Sequence, residues 1–258
     1  MLRPAVRHCT TFFGFNTALP PFDDVRIRRA FMASLDREGL ADVPLADVWR
    51  AAHTLTPPTV FGYDAAVGIP YDPDQARTWL AEAGYPGGLG LPAVSLVYYD
   101  GAENGAASQF ASENWSAELG AIVFPLGVTF GDLIDLLEND PPQLWSLRWC
   151  SDYANAHNFL YDFVEAHSDY FGAWNNSAYS NLIEAATQSP DTADQALFFR
   201  LAEQRLIETD AVLLPVFHAI NGHATRPYLQ RTYGNGGISS AIADWKIGWQ
   251  TYLPVAID

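Results

Sequence analysis

The stretch Val94–Val128, VSLVYYDGAENGAASQFASENWSAELGAIVFPLGV, changes its periodicity twice. Val94–Tyr99 is β-branched and aromatic and reads as a strand. Ala106–Leu119 carries a helical pattern that stops at Gly120, and Ile122–Val128 returns to strand composition. Strand, helix and strand in that order predict an α/β layer architecture. Downstream, Thr129 or Gly131 opens a short helix through Leu137, and Leu144–Trp149 is an apolar strand leading into the loop Cys150–Asn158. Loops at strand ends are where ligands usually sit in such folds.

Upstream, Asp72 caps a helix with Pro73 at its first position, Ala76, Trp79, Leu80 and Ala83 on its buried stripe and Gly84 at its end. Residues 52–70 alternate prolines, glycines and short apolar words, which describes an ordered loop rather than a domain boundary. Before it, Asp23 or Asp24 caps a helix whose apolar face is Val25, Ile27, Ala30, Phe31 and Leu35, with Arg26, Arg28 and Arg29 elsewhere on it and Gly39 past its end. Thr10–Asn16, rich in phenylalanine, reads as a strand. Asp191–Thr209 is a long helix with Ala196, Leu197, Leu201, Ala202, Leu206 and Ile207 on one face and Glu203 and Glu208 toward solvent. Val212–Ala219 follows as a strand that Pro215 assigns to an edge or a crossover, not to the centre of a sheet. Beyond it, periodicity is weak.

Composition narrows the function. Of 258 residues, 30 are acidic and 14 basic, a formal charge of −16 that repels phosphate backbones and anionic headgroups. Lys246 is the one lysine, and the single basic cluster is Arg26, Arg28 and Arg29, so nucleic acid is not an expected partner. No apolar run approaches the roughly 20 residues that span a bilayer, and the first residues lack the pattern of an export signal. The nucleophile-elbow, phosphate-loop and His-Glu-x-x-His signatures are missing, and no cofactor is expected. Asp132, Asp135 and Glu138 fall along one side of a helix as solvated carboxylates do. His218 and His223, with His157 remote, are poorly spaced for a metal. Exposed tryptophans and tyrosines of a sugar-binding module remain a competing class of binding function. Cys9 and Cys150 suit either one long-range disulfide or two buried thiols.

Several words in order resemble the family 5 solute-binding proteins, the receptors of ABC importers of the oligopeptide and dipeptide type. They are Phe15-Asn16-Thr17, Pro20-Pro21-Phe22-Asp23-Asp24-Val25-Arg26-Ile27-Arg28-Arg29-Ala30 with Asp36-Arg37, Tyr71-Asp72-Pro73, and Leu80-Ala81-Glu82-Ala83-Gly84-Tyr85. Trp115 through Leu119-Gly120, Arg148-Trp149-Cys150-Ser151-Asp152-Tyr153 and Asn158-Phe159-Leu160 continue the match. The resemblance implies a periplasmic-binding-protein-like α/β fold (type II, cluster C) of which this chain is the C-terminal half. Residues 16–210 would form the second lobe, with a mixed sheet and flanking helices. Residues 1–15 and 211–258 would be crossover and return segments to a first lobe absent from this sequence. Phe12, Phe13, Trp245 and Trp249 would then lack their usual cover.

The same resemblance implies binding rather than catalysis. A peptide or similar solute would be handed to membrane permease subunits, at the periplasmic or extracellular face, with membrane contact only through the transporter or a lipid anchor outside this chain. It assigns the ligand loop to Trp149, Cys150, Asp152, Tyr153 and Asn155, with Asp152 accepting charge-assisted hydrogen bonds from the ligand's free amino terminus. It also pairs Cys9 with Cys150 as a disulfide. The residues themselves leave Asp152 equally able to cap the turn through Tyr153 and Ala154, and Trp149 either a cleft wall or core. Two departures widen the ligand class: Asn155-Ala156-His157 replaces a frequent Asp-Pro, and Gly14 stands where oligopeptide binders carry a side chain facing the cleft. Relatives that bind nickel chelates, haem or oligosaccharides belong to the same family.

Overall fold

A computed structural model describes residues 2–42, 49–224, 229–231 and 245–247. The strands β1 (Leu2–Phe15), β2 (Trp49–Ala51), β3 (Val94–Tyr99), β4 (Val123–Val128), β5 (Leu144–Cys150) and β6 (Leu213–Ala224) form one sheet in the order β2-β6-β1-β5-β3-β4. β3 is parallel to β4 and β5, while β1 runs antiparallel to β5 and β6, so the sheet is mixed. The helices are α1 (Val25–Ala33), α2 (Pro73–Glu82), α3 (Ala102–Leu119), α4 (Phe130–Asn139), α5 (Ala156–Phe159), α6 (Ser177–Gln188) and α7 (Thr192–Gln204). π-helical turns, Leu160–Glu165 and Arg205–Thr209, extend α5 and α7. A short ladder, β7 (Leu229–Arg231) with β8 (Trp245–Ile247), completes the described strands. No helix among the described residues is long and apolar enough to cross a membrane.

Alternation along β1 builds two cores. Phe13 and Phe15 point to one face, where Phe13 meets Trp115 of α3 and Phe15 meets Phe22, which packs on Phe31 of α1. Phe12 points to the other, against Trp145 of β5 and Phe163 of the turn after α5. Both phenylalanines expected to lack cover, Phe12 and Phe13, are fully buried, because helices cover each face of the sheet within this chain. The Trp245 side chain and all of Trp249 lie outside the described residues.

Two other expectations are revised. β6 is not an edge strand: β2 pairs with its 217–219 segment, and Pro215 sits beside a register shift against β1 where a missing donor breaks no regular ladder. On α7 the buried side carries Phe199, Ala202 and Glu203, while Leu197 is exposed; a backbone partner for the carboxylate reverses the polarity rule. Arg28, off the apolar face of α1, is nonetheless buried, with its guanidinium on the carbonyls of Phe22, Asp210 and Ala211. Arg29 takes those of Glu208 and Thr209. Together they satisfy carbonyls that the end of the α7 segment leaves open. At the opposite end of the sheet, β4 leaves Ile122, Phe124 and Leu126 exposed.

Gly14 faces Trp145 directly across the β1–β5 ladder, and a Cβ there would overlap the indole. The fully buried indole also donates to Tyr170 O at 3.0 Å, which leaves it little room to retreat. A side chain at position 14 would therefore meet Trp145 inside the core, where the indole already fills the space. Gly14→Ala is expected to lower the urea-unfolding free energy by about 1–3 kcal/mol through overpacking.

Candidate binding site

β5 delivers the candidate residues to one end of the sheet. Its last residue, Cys150, is disulfide-bonded to its cross-strand partner Cys9, 141 residues away in sequence. Ser151 N donates to His8 O at 2.8 Å and prolongs the ladder by one step. Asp152, Tyr153 and Ala154 then form an exposed turn. On its far side the chain is clipped by a parallel bridge: Phe61 N donates to Ala154 O at 3.2 Å, and Ala156 N to Phe61 O at 2.8 Å. Asn155 caps α5 by accepting from His157 N at 2.9 Å.

Beneath the turn, a polar network converges on Asp162. Tyr153 Oη donates to Asp162 Oδ2 at 2.6 Å, and Asn158 Nδ2 donates to the same oxygen at 2.9 Å. Trp149 Nε1 donates to Asn158 Oδ1 at 2.9 Å, and His157 Nδ1 lies 2.8 Å from Tyr153 Oη. Desolvation, the bond to Asp162 and the charges of Asp162 and Asp152 push the Tyr153 phenol up to about 12, so it remains a donor. Trp149 is half-buried with its ring 4.8 Å from that of Phe163, on the same face as Phe12.

Every candidate but one therefore has an intramolecular task. Cys150 is bonded, Asn155 caps, Tyr153 ties the turn to Asp162, and Trp149 packs and donates. Asp152 is exposed, and among the described residues its carboxylate accepts no hydrogen bond, so it does not cap the turn. Asp162 went unnoticed in the sequence, and His157 was weighed there only as a remote metal ligand and as a departure from Asp-Pro. Their i,i+4 partners Tyr153 and Asn158 were the available signal, hidden because the loop was read as far as Asn158. Among the described residues no three His, Cys, Asp or Glu side chains gather as a metal centre.

The loop that clips this turn depends on a buried carboxylate. Glu203 Oε1 accepts from Leu55 N at 2.6 Å and Thr56 N at 2.8 Å, a few residues before Phe61. Nearby, Thr10 Oγ1 donates to Leu55 O at 2.7 Å and meets His218 Nδ1 at 2.9 Å. Burial holds the His218 imidazole neutral, down at about 3. His218 borders a hollow of about 340 Å³ with Arg50, His53 and Tyr63.

Residues 4–171 match the family described as bacterial extracellular solute-binding proteins, family 5 Middle, and the chain belongs to that family. It is 30% identical over 239 residues to the probable deoxycholate-binding periplasmic protein YgiS of Escherichia coli, covering 88% of this chain and 43% of that protein. The periplasmic oligopeptide-binding protein OppA of Escherichia coli is 24% identical over 227 residues, 86% of this chain and 41% of that one. The chain thus spans less than half the length of these curated relatives. In fold it resembles the Escherichia coli murein tripeptide-binding protein MppA (TM-score 0.78, 23% identity, 89% of this chain and 46% of that one). It also resembles HbpA2 of Haemophilus parasuis (TM-score 0.82, 19% identity, 96% and 50%).

Burial outweighs the two backbone donors and pushes the Glu203 carboxyl up to about 7, well above the ordinary carboxylate value of 4.5. The folded state then holds a proton that the unfolded state has lost, so stability falls as pH rises from about 4.5 to about 7, by roughly 3 kcal/mol if Glu203 acts alone. The difference in urea-unfolding free energy between the wild type and Glu203→Gln is expected to carry that slope, because the buried neutral His218 contributes one of opposite sign below about 6.5 in both proteins.

Proposed function

We propose that this chain is the ligand-binding second lobe of an extracytoplasmic receptor that takes up peptides with a free amino terminus for an ABC importer. The observation that carries the reading is Asp152: an exposed carboxylate that accepts no hydrogen bond among the described residues, on a turn fixed by a disulfide on one side and a bridge on the other. A carboxylate so placed accepts two or three charge-assisted hydrogen bonds from an ammonium group without first reorganising. Relatives named for binding oligopeptides and murein peptides support the ligand class. A disulfide supports an oxidising compartment outside the cytoplasm.

Residues 16–210 are assigned to this lobe, and 1–15 and 211–258 to segments that pass to and from a first lobe. The support is the long pairing of β1 with β6, which runs from Gly14↔Leu213 out to Leu2↔Ala224, well past the β5 partner strand. Permease subunits are the partners that receive the ligand once two lobes have closed over it. Catalysis has no part in this role, which requires only capture and release.

Titrating trialanine while following the amide resonances of residues 150–158 tests the reading. Saturable shifts are expected, weakened roughly 10- to 100-fold by Asp152→Asn, the loss of charged hydrogen bonds, and by N-acetylation of the peptide. Unchanged affinity in both cases overturns it. A response to oligosaccharides that depends on Trp149 and ignores Asp152 would place the protein among sugar binders instead.

A further inference from the structure

At the β2 edge of the sheet, the hollow of about 340 Å³ already met beside His218 lies between β2, β6 and the loop that follows β2, with Arg50, His53, Tyr63 and Glu38 also on its walls. Arg50 and His218 are cross-strand partners, so their side chains rise from the same face of the sheet. His218 is 2% exposed, and one of its nitrogens is committed. Thr10 Oγ1 has a single proton and gives it to Leu55 O, so His218 Nδ1 is the donor to the Thr10 oxygen. Nε2 of the neutral ring therefore carries a lone pair, and it has no hydrogen-bond partner among the described residues. Unlike the closed, unpaired Trp49 Nε1 nearby, this atom is not sealed in the core: it meets the hollow. A buried acceptor left in that state is costly unless something else pairs it.

The remaining walls carry one charge of each sign. Arg50 makes no ion pair or hydrogen bond with a described residue, and the Tyr63 hydroxyl is equally free. Glu38 lies 3.9 Å from His53 Nε2. Burial, and then the charge of Arg37, hold the His53 imidazole below its ordinary range, so in neutral solution it leaves the Glu38 carboxylate uncompensated. Arg50 and Glu38 thus line one hollow without pairing with each other. Ala51, Pro58 and Ala65 add an apolar wall.

We infer that this hollow is a second binding site, separate from the Asp152 turn, for a free α-amino acid in its zwitterionic form, with the carboxylate on Arg50 and Tyr63 and the ammonium on His218 Nε2 and Glu38. A bare oxyanion pairs with Arg50 but turns acceptors toward the lone pair of His218 and toward Glu38. An amine alone brings a second positive charge beside Arg50. A peptide holds its two charges at opposite ends and cannot bring both to neighbouring groups. Size agrees, since the hollow is at the small end of ligand pockets. The inference does not depend on the peptide reading.

L-Leucine is the probe, with N-acetyl-L-leucine and sulfate as controls at equal ionic strength. The imidazole nitrogen resonance of His218 Nε2 reads the lone pair directly: it is expected to move saturably with leucine and to stay in place with both controls. Arg50 is exposed on a three-residue strand, so Arg50→Gln leaves the core intact. That variant is expected to weaken leucine roughly tenfold, the loss of a charged hydrogen bond, and Glu38→Gln to weaken it less. Asp152→Asn is expected to leave the leucine titration unchanged. An Nε2 resonance that does not respond or never saturates, equal responses to leucine and either control, undiminished binding in Arg50→Gln, or loss of binding in Asp152→Asn each overturn the assignment.

Discussion

A strand buried on both faces is the constraint to which the rest of the sheet is fitted. β1 has helices above and below it and strands on either side, so each of its side chains must match a different neighbour. Phe12 joins the layer that carries α5 and its π-helical turn; Phe13 and Phe15 join the layer of α1 and α3. Burying each ring contributes about 1.5–3 kcal/mol relative to leaving it wet. Sliding β1 by one residue would exchange the two sets and put Gly14 on the wrong side of Trp145. The register that follows also sets Cys9 opposite Cys150, and hence the height at which the Asp152 turn leaves the sheet.

Polar groups inside this frame serve backbone more than they serve each other. Arg28 and Arg37 are both buried, and desolvation lowers each guanidinium to about 10, which leaves it charged in neutral solution. Neither is matched to a buried carboxylate. Arg37 instead donates to Pro215 O at 2.8 Å and Ile69 O at 3.3 Å, joining the bulge of β6 to the loop before α2. Glu203 does the complementary job with backbone N–H groups at residues 55 and 56. Irregular segments on the way to the Asp152 turn are thus held by side chains that a hydrophobicity pattern assigns to solvent.

That contrast explains what the sequence made legible. The strands β3, β4 and β5, the capped helices α1, α2 and α4, and the helix ended by Gly120 follow local rules of period, cap and stop, and they stand where those rules put them. Family words carried the fold further, to a mixed sheet with flanking helices. What stayed hidden depends on contacts across the fold. Glu203 is buried because residues 55 and 56 come to it, 148 and 147 positions away. β2 is three residues long and has no periodicity to detect. α6, Ser177–Gln188, starts at an Asn176 cap in a stretch where no element was expected. At the candidate site, Asp152 was named from resemblance, but the support of its turn by Asp162 required the neighbours to be seen together.

The exposed strand β4 carries one more implication. Val94 N and Asp100 N donate to the carbonyls of Ile122 and Val128, so the even-numbered residues of β4 turn their backbone toward β3 and the odd-numbered ones turn it outward. Pro125 is among the outward ones, midway between Val123 and Gly127, and it has no N–H to offer. A strand showing Ile122, Phe124 and Leu126 to water is a template on which another chain would ordinarily polymerise; with its central rung missing, the ladder cannot be extended in register. Among the described residues no strand pairs with this apolar margin, and Pro125 withholds the donor that one would need at its centre.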